Sequence, residues 1–170
     1  MSGVDVPALV GAEKELATEP SWRPGRAPDD LELSVPLEID GVVIEGLTLR
    51  GRVLKSLPDR EVAFQLEYHA PHIVGGPLCR IDWKPLGTHS NRGIGPKHLR
   101  HLLQRSSHHH RFDLNWARSE EKTLSGDIPI AVPLEPDPKN FRELLAIVGK
   151  EFKIARIQVI EIPPWEPAML

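Results

Sequence analysis

Strict alternation of apolar and polar residues begins at Leu31 and constrains the fold of this chain more than any other feature. Aliphatic residues occupy every second position from Leu31 to Ile39, and polar residues or a proline stand between them. That period of two is typical of a half-buried β-strand. Asp40-Gly41 follows at once, and this dipeptide suits a two-residue hairpin turn because both central positions adopt positive φ. The chain is therefore expected to build an antiparallel sheet around this hairpin.

Similar alternation elsewhere predicts further strands. The segments that show it are residues 42–53, 62–68, 78–83, 109–116 and 154–162. A short helix is expected over residues 97–105, and Asp137-Pro138 suits the start of a longer one, whose apolar residues recur at helical spacing up to Phe152. We therefore predict an α+β fold, with a mainly antiparallel, meander-like sheet of about six strands and one long amphipathic helix packed on one face.

The first thirty residues differ from the rest of the chain. Residues 6–17 suit a short helix, but residues 18–30 contain three prolines and a glycine and show no period. We predict that residues 1–30 form a peripheral or partly disordered arm and that residues 31–170 form a single domain. The chain begins without a basic region and has no long uncharged apolar run, so we expect a soluble, cytoplasmic protein without a membrane segment.

Positive charge is concentrated in residues 80–118. This segment has eight lysines and arginines, six of the eight histidines and two acidic residues, in a chain whose formal net charge is -3. Such an asymmetry favours an anionic partner, which we take to be a phosphate-bearing ligand, with nucleic acid as one candidate.

Alternation divides the side chains of this segment between two faces. In a strand over residues 109–116, His109, Arg111 and Asp113 share a polar face, and pairing with the strand at 78–83 would bring Arg80 and Asp82 beside them. One hypothesis is acid–base catalysis on a phosphate ester. His109 with Asp113 or Asp82 would then transfer the proton, and Arg80 and Arg111 would hold the anion.

The loop between these strands extends the predicted anion-binding set. His89 and Arg92 lie in the loop, where they can fold over the polar face. Lys97 and Arg100 lie on the expected short helix and would add positive charge next to that face.

A divalent metal site is the alternative for the same segment. His108 and His110 are two residues apart on one strand face, so both imidazoles can reach one ion, with His89 or His69 as a third ligand. That face continues into Phe112 and Leu114, so the two histidines can equally cover the end of the core. The chain has no cysteine pair and no HExxH motif, and no cofactor is predicted from the sequence.

A structural or protein-interaction domain without catalysis is the remaining class. In that case the polar face would be covered by the N-terminal arm, by a protein partner or by a second copy of the chain.

Three short motifs and one helix also occur in a known order. They are Arg80-Ile81-Asp82, His89-Ser90-Asn91, His108-His109-His110-Arg111-Phe112 and the predicted helix at 138–150. This order resembles small prokaryotic proteins of the TumE-like toxin group and related uncharacterised families. The resemblance covers under half of the chain. It implies a toxin–antitoxin or mobile-element context and action on nucleic acid, as a hydrolase or nuclease that uses His/Asp chemistry.

Overall fold

The computed structural model describes residues 3–71 and 74–167. Its strands are β1 (Glu15–Leu16), β2 (Arg23–Pro24), β3 (Asp30–Ile39), β4 (Val42–Leu54), β5 (Val62–Tyr68), β6 (Gly76–Trp83), β7 (His89–Ser90), β8 (Leu103–Gln104), β9 (His108–His110) and β10 (Ala131–Pro133). Its helices are α1 (Val6–Gly11), α2 (Phe112–Arg118), α3 (Glu120–Leu124) and α4 (Phe141–Phe152), and a 3₁₀ turn covers Ile157–Val159.

Within the described residues, eight strands form one antiparallel sheet. The order is β1-β3-β4-β5-β6-β9-β10, and β2 pairs with β3, whereas β7 and β8 form a separate two-stranded sheet. The hairpin predicted at Asp40-Gly41 joins β3 to β4, and both turn residues have positive φ, 51° and 77°. The long central ladder from β3 to β6 therefore follows from local sequence signals.

The protein is an α+β fold with a large antiparallel sheet, but the predicted arrangement of about six strands and one long helix is wrong. Helical residues are divided among α1 to α4, and only α2 and α4 have seven residues or more. The longest of these, α4, has 12 residues. None of the helices in the described ranges combines the length and the apolar character needed to cross a bilayer.

Two predicted strands and one predicted helix adopt other structures. Residues from Phe112 onward form α2, because Phe112 and Trp116 are also one helical turn apart, and their rings stack at 5.1 Å. Residues 154–162 make a single bridge, Lys14 to Ile154, and the 3₁₀ turn. Residues 97–105 form turns and β8 rather than a helix. The extra strands β1, β2 and β10 have two or three residues each, too few for a visible period.

The core lies between the inner face of the sheet and α4. The buried side chains of α4 are Phe141, Leu144, Leu145, Val148 and Phe152. Trp83 of β6 is fully buried beneath the start of this helix, and its Nε1 donates to the carbonyl of Pro138 at 2.9 Å. Because α4 covers the inner face, the opposite face of β4, β5, β6 and β9 remains available for polar groups.

Lys14 connects the N-terminal residues to the end of α4. Its side chain is fully buried, and Nζ donates to the carbonyl oxygens of Val10, Ala12 and Phe152 at 2.8, 2.8 and 3.0 Å. Its amide donates to the carbonyl of Lys153 at 2.7 Å. Burial lowers the pKa of Lys14 to about 8, so the ammonium form still predominates at neutral pH and can donate to all three carbonyls.

Candidate functional site

Two polar rows cross the outer face of the sheet. One row consists of Arg50, Gln65, Arg80 and His110, which are successive partners across four strands. The other consists of Arg52, Ala63, Asp82 and His108. Side chains that are directly opposite on antiparallel strands lie on the same face and in contact distance. Both rows therefore end in a histidine of β9.

His89 of β7 packs against these two histidines. Its ring centroid is 5.1 Å from that of His108 and 4.7 Å from that of His110, and the latter two are 5.1 Å apart. One ring nitrogen from each residue lies within 4.8 Å of the others. We call these three residues, with Arg80 and Asp82, the histidine cluster.

Asp82 connects the members of the histidine cluster. Its Oδ2 lies 3.3 Å from Nε2 of His108 and 3.3 Å from Nε2 of His110, and it accepts from Nε of Arg80 at 2.8 Å. Burial raises the pKa of Asp82, but the contacts with His108 and His110 and the charge of Arg80 outweigh burial and hold that pKa far below its usual range. The carboxylate is therefore ionised at neutral pH.

Each histidine of the cluster has one ring nitrogen within hydrogen-bond distance of a backbone carbonyl. Nδ1 of His108 lies 3.0 Å from the carbonyl of Ser106, and Nδ1 of His110 lies 2.7 Å from that of Ile128. Nε2 of His89 lies 2.9 Å from the carbonyl of Pro129. A carbonyl only accepts, so these nitrogens carry the hydrogen, and in a neutral ring the other nitrogen is an acceptor.

Burial keeps two of these rings neutral. It lowers the pKa of His89, helped by the nearby His110, and it also lowers the pKa of His110 despite the opposing contact with Asp82. Both rings therefore have an unprotonated nitrogen at neutral pH.

Asn91 positions His89. This fully buried side chain donates to the carbonyls of Leu99 and Ala131 at 3.2 and 3.1 Å, and its Oδ1 accepts from the amide of Ala131 at 3.1 Å. The same oxygen lies 2.9 Å from Nε2 of His89. The amide thereby ties β7 to β10, and Asn91 is not among the predicted site residues although the His-x-Asn spacing pointed to it.

A groove adjoins the cluster through Arg80 and Asp82. It encloses about 490 Å³, and its charged lining residues are Glu32, Arg50, Arg52, Glu61, Arg80 and Asp82. Arg52 pairs with Asp30 at 2.9 Å, and Arg50 lies 3.5 Å from Glu32. The groove walls therefore carry balanced charges and do not form a uniformly basic surface. Arg50 and Arg52 were also missed in the sequence, because they lie outside residues 80–118.

The structure places His109 on the inner face, away from Arg80 and Asp82. Its direct partner in β6 is Ile81, its ring centroid is 6.1 Å from that of Phe152, and burial lowers its pKa to about 4. The predicted grouping of His109 with Asp82 is therefore absent. A strand that is displaced by one residue turns every side chain to the other face.

Arg111 and Asp113 also lie outside the cluster. The strand ends at His110, and these two exposed residues at the start of α2 bind each other, with contacts of 2.9 and 2.6 Å. Their mutual pairing leaves neither group directed at the predicted partner, His109. Catalysis by His109 and Asp113 thus has no geometric support.

The remaining predicted anion-binding residues are dispersed. Arg92, Lys97 and Arg100 are exposed in the segment between β7 and β8, and Nε of Arg100 donates to the carbonyl of Gly95 at 2.7 Å. His69, the alternative third ligand, contacts Glu67 at 3.3 Å instead. Of the predicted site residues, the structure brings together Arg80, Asp82, His89, His108 and His110.

Comparison of the chain with protein family models, curated proteins and solved structures finds no match. The three motifs that resemble TumE-like proteins converge on the histidine cluster, since each contributes to it or, through Asn91, supports it. The family relationship itself stays a prediction.

Proposed function

We propose that the protein hydrolyses phosphodiesters and that the histidine cluster is its active site. The observation that carries this proposal is the convergence of three imidazoles on an arginine and a carboxylate that line a groove. These are the groups that phosphoryl transfer requires, namely a positive charge for the phosphate and acid–base groups for the water and the leaving oxygen.

Arg80 is the group that would hold the phosphate. A guanidinium has five N–H donors. Nε of Arg80 donates to Asp82, and Nη2 lies 3.2 Å from Nε2 of His110, which leaves further donors on a side chain that is 36% exposed. Two parallel N–H groups match two phosphate oxygens, and such charged pairs are the strongest hydrogen bonds in proteins.

The histidines supply the proton transfers. A free imidazole nitrogen accepts a proton from the attacking water while the new P–O bond forms, and a second imidazole returns a proton to the leaving oxygen as the ester bond breaks. Asp82 lies 3.3 Å from both His108 and His110, so its negative charge stabilises whichever ring is protonated during the reaction.

The groove would hold the rest of the substrate. Its volume of about 490 Å³ lies within the usual range for ligand sites, about 300–1,000 Å³. Arg50, Arg52 and Arg80 each pair with a carboxylate, and Arg80 is the one of the three that also contacts a histidine of the cluster. The resemblance to TumE-like proteins supports a phosphodiester of nucleic acid as the natural substrate.

The test is hydrolysis of an RNA oligonucleotide and of bis(p-nitrophenyl) phosphate by the purified protein. We expect Arg80→Ala to lower kcat/KM at least about 100-fold, because the phosphate loses its charged donors. Arg111→Ala is the matched control, an exposed arginine outside the cluster, and its kcat/KM should equal that of the wild type. Absence of hydrolysis of both substrates by the wild type, or equal activity in folded Arg80→Ala, would contradict the proposal.

A further inference from the structure

The geometry points to a divalent metal ion of the zinc class bound by His89, His108 and His110, with the Asp82 carboxylate beside it. This inference deepens the proposed function, because it rests on the same site and names the group that would activate water there. It depends on the arrangement of lone pairs, on the distances and on the hydrogen bonds that surround the rings.

The nitrogen and oxygen atoms at the centre of the cluster are arranged to suit a cation. Nδ1 donates to a carbonyl in both His108 and His110, so Nε2 is the nitrogen left to face Asp82, and each Nε2 lies 3.3 Å from the same oxygen of that carboxylate. Arg80 donates to Nε2 of His110 alone, and no donor among the described residues reaches Nε2 of His108. Acceptors that face one another repel unless a positive charge lies between them; a proton can supply that charge at one contact, and one divalent ion would supply it to both rings and to Asp82.

The distances suit a single ion. Zinc binds imidazole nitrogen at about 2.0–2.1 Å, so two nitrogens on one ion are at most about 4.2 Å apart. One nitrogen from each of the three histidines lies within 4.8 Å of the others. Small rotations of the rings are therefore sufficient to bring three ligands onto one ion.

The surrounding hydrogen bonds are those of oriented metal ligands. Histidines that bind metals almost always donate the other ring N–H to a carbonyl, a carboxylate or water, which fixes the tautomer and the ring plane. Ser106, Ile128 and Pro129 provide a carbonyl for each of the three rings. Asn91, which is fully buried, holds the strand that carries His89. The cluster is thus built from several segments before any ion enters.

The donor set selects the kind of ion. Imidazoles with one carboxylate favour zinc and related transition metals over magnesium or calcium, which prefer oxygen ligands. A site with three protein ligands also keeps a position for water, and zinc lowers the pKa of that water to about 7. Asp82 lies on the wall of the groove, so a bound water on that side would meet the substrate.

With the ion in place, the imidazoles would serve as ligands, and the metal would activate the attacking water in place of an imidazole base. The water oxygen forms the new P–O bond, the ester P–O bond breaks, and the proton released by the water ends on the leaving alcohol. Arg80 keeps its role as the donor to the phosphate oxygens.

The experiment is a zinc titration of chelator-treated protein prepared without a histidine tag, followed by calorimetry with a competing chelator. We expect one zinc ion per chain, bound at micromolar concentration or below, and a loss of about 100-fold in affinity in His108→Ala and in His110→Ala. His98→Ala, an exposed histidine outside the cluster, is the matched control and should bind zinc like the wild type. Cobalt substitution should give the visible absorption of a four-coordinate site, which His110→Ala should lose.

Unfolding curves of the zinc-free variants show whether the fold is intact, and His108→Gln provides a second variant if His108→Ala does not fold. Unchanged zinc affinity in the folded cluster variants, or no binding by the wild type, would overturn the inference. Two further results distinguish a failure of the metal inference from a failure of the proposed hydrolysis. Hydrolysis by zinc-free protein in excess chelator overturns the role of the ion in activating water, whereas stoichiometric zinc binding without hydrolysis overturns the proposed function alone.

Discussion

The two faces of the central sheet share one backbone ladder and differ in almost everything else. On the inner face, Leu66 and Ile81 are at most 1% exposed and lie beneath α4. On the outer face, the neighbouring residues Gln65 and Arg80 line a groove. Buried aliphatic side chains stabilise a fold by about 1.5–3 kcal/mol each, whereas exposed ion pairs contribute about 1 kcal/mol or less. Stability therefore depends mainly on the inner face, and the outer face is available for chemistry.

Strand β9 shows the same difference within three residues. His109 contacts the core side, near Phe152, and its neighbours His108 and His110 join Asp82 on the outer side. Three identical side chains thus occupy two faces of the sheet, and the register of β9 against β6 determines which face each one occupies. Substitutions on the inner face should therefore lower stability, and substitutions in the histidine cluster should lower metal binding and hydrolysis.

The largest effect on stability should come from the inner face. Leu145→Ala removes a fully buried side chain of α4 and leaves a cavity, so the free energy of unfolding should fall by about 3–5 kcal/mol. Arg50→Ala, on the outer face, should lower it by about 1 kcal/mol or less. Urea denaturation measures both, and similar losses in the two variants would contradict the division between the faces.

Lys14→Met should have the next largest effect, because the carbonyls of Val10, Ala12 and Phe152 lose their common donor. Buried unpaired acceptors predict a loss of about 3 kcal/mol. Lys153→Met removes one exposed contact, to the carbonyl of Gly11, and should change stability by about 0.5 kcal/mol. An equal loss in both variants would show that burial of Lys14 is unimportant.

The pH dependence of stability should also reveal the lowered pKa of Lys14. Burial lowers its pKa to about 8 from 10.5, so between these values the unfolded chain binds more protons than the folded chain. The contribution of Lys14 to the free energy of unfolding should therefore rise with pH from about 8 to 10.5. Denaturation of wild type and Lys14→Met across this range measures it, and a constant difference between the two proteins would contradict the burial of the ammonium.

Asn91→Ala should lower both the stability of the fold and the affinity for zinc. It removes the amide that ties β7 to β10, which predicts a loss of about 1–3 kcal/mol in stability. It should also loosen His89 and lower zinc affinity about 10-fold. Asn91→Asp retains the acceptor Oδ1 and should bind zinc more tightly than Asn91→Ala. Zinc affinity equal to that of the wild type in both variants would show that His89 needs no such support.

Asp113→Ala should have the smallest effect. Its carboxylate is exposed and binds Arg111 alone, so stability should change by about 0.5 kcal/mol at most. Hydrolysis and zinc affinity should equal those of the wild type. Loss of hydrolysis in folded Asp113→Ala would instead favour the catalytic role that the sequence predicted for Asp113.

Local signals predicted the parts of the fold that depend on local structure. The alternation from Leu31 and the Asp40-Gly41 turn sufficed for the first hairpin, and the period of residues 78–83 placed Arg80 and Asp82 correctly on the outer face. The position of His89 over that face also follows from its long loop. Each of these predictions rested on a segment long enough to show a period or on a turn with particular backbone requirements.

The sequence could not show which face of the sheet each residue of β9 occupies, because this strand has three residues and all of them are histidine. Its register is set by β6 and β10, which are distant in sequence, and the following residues from Phe112 fit both a strand and a helix. A one-residue error then exchanged His109 for its neighbours in the predicted catalytic set. The groove arginines Arg50 and Arg52 were missed for a related reason, since only the sheet brings them beside residues 80–118.

The most direct test compares phosphodiester hydrolysis by His110→Ala and His109→Ala, two adjacent residues on opposite faces. The measurement is kcat per folded molecule, with the folded fraction taken from thermal unfolding. We predict that His110→Ala loses hydrolysis at least about 100-fold and remains folded, whereas His109→Ala loses stability and keeps its kcat. Hydrolysis that survives in His110→Ala and disappears in folded His109→Ala would contradict the assignment of the active site to the outer face.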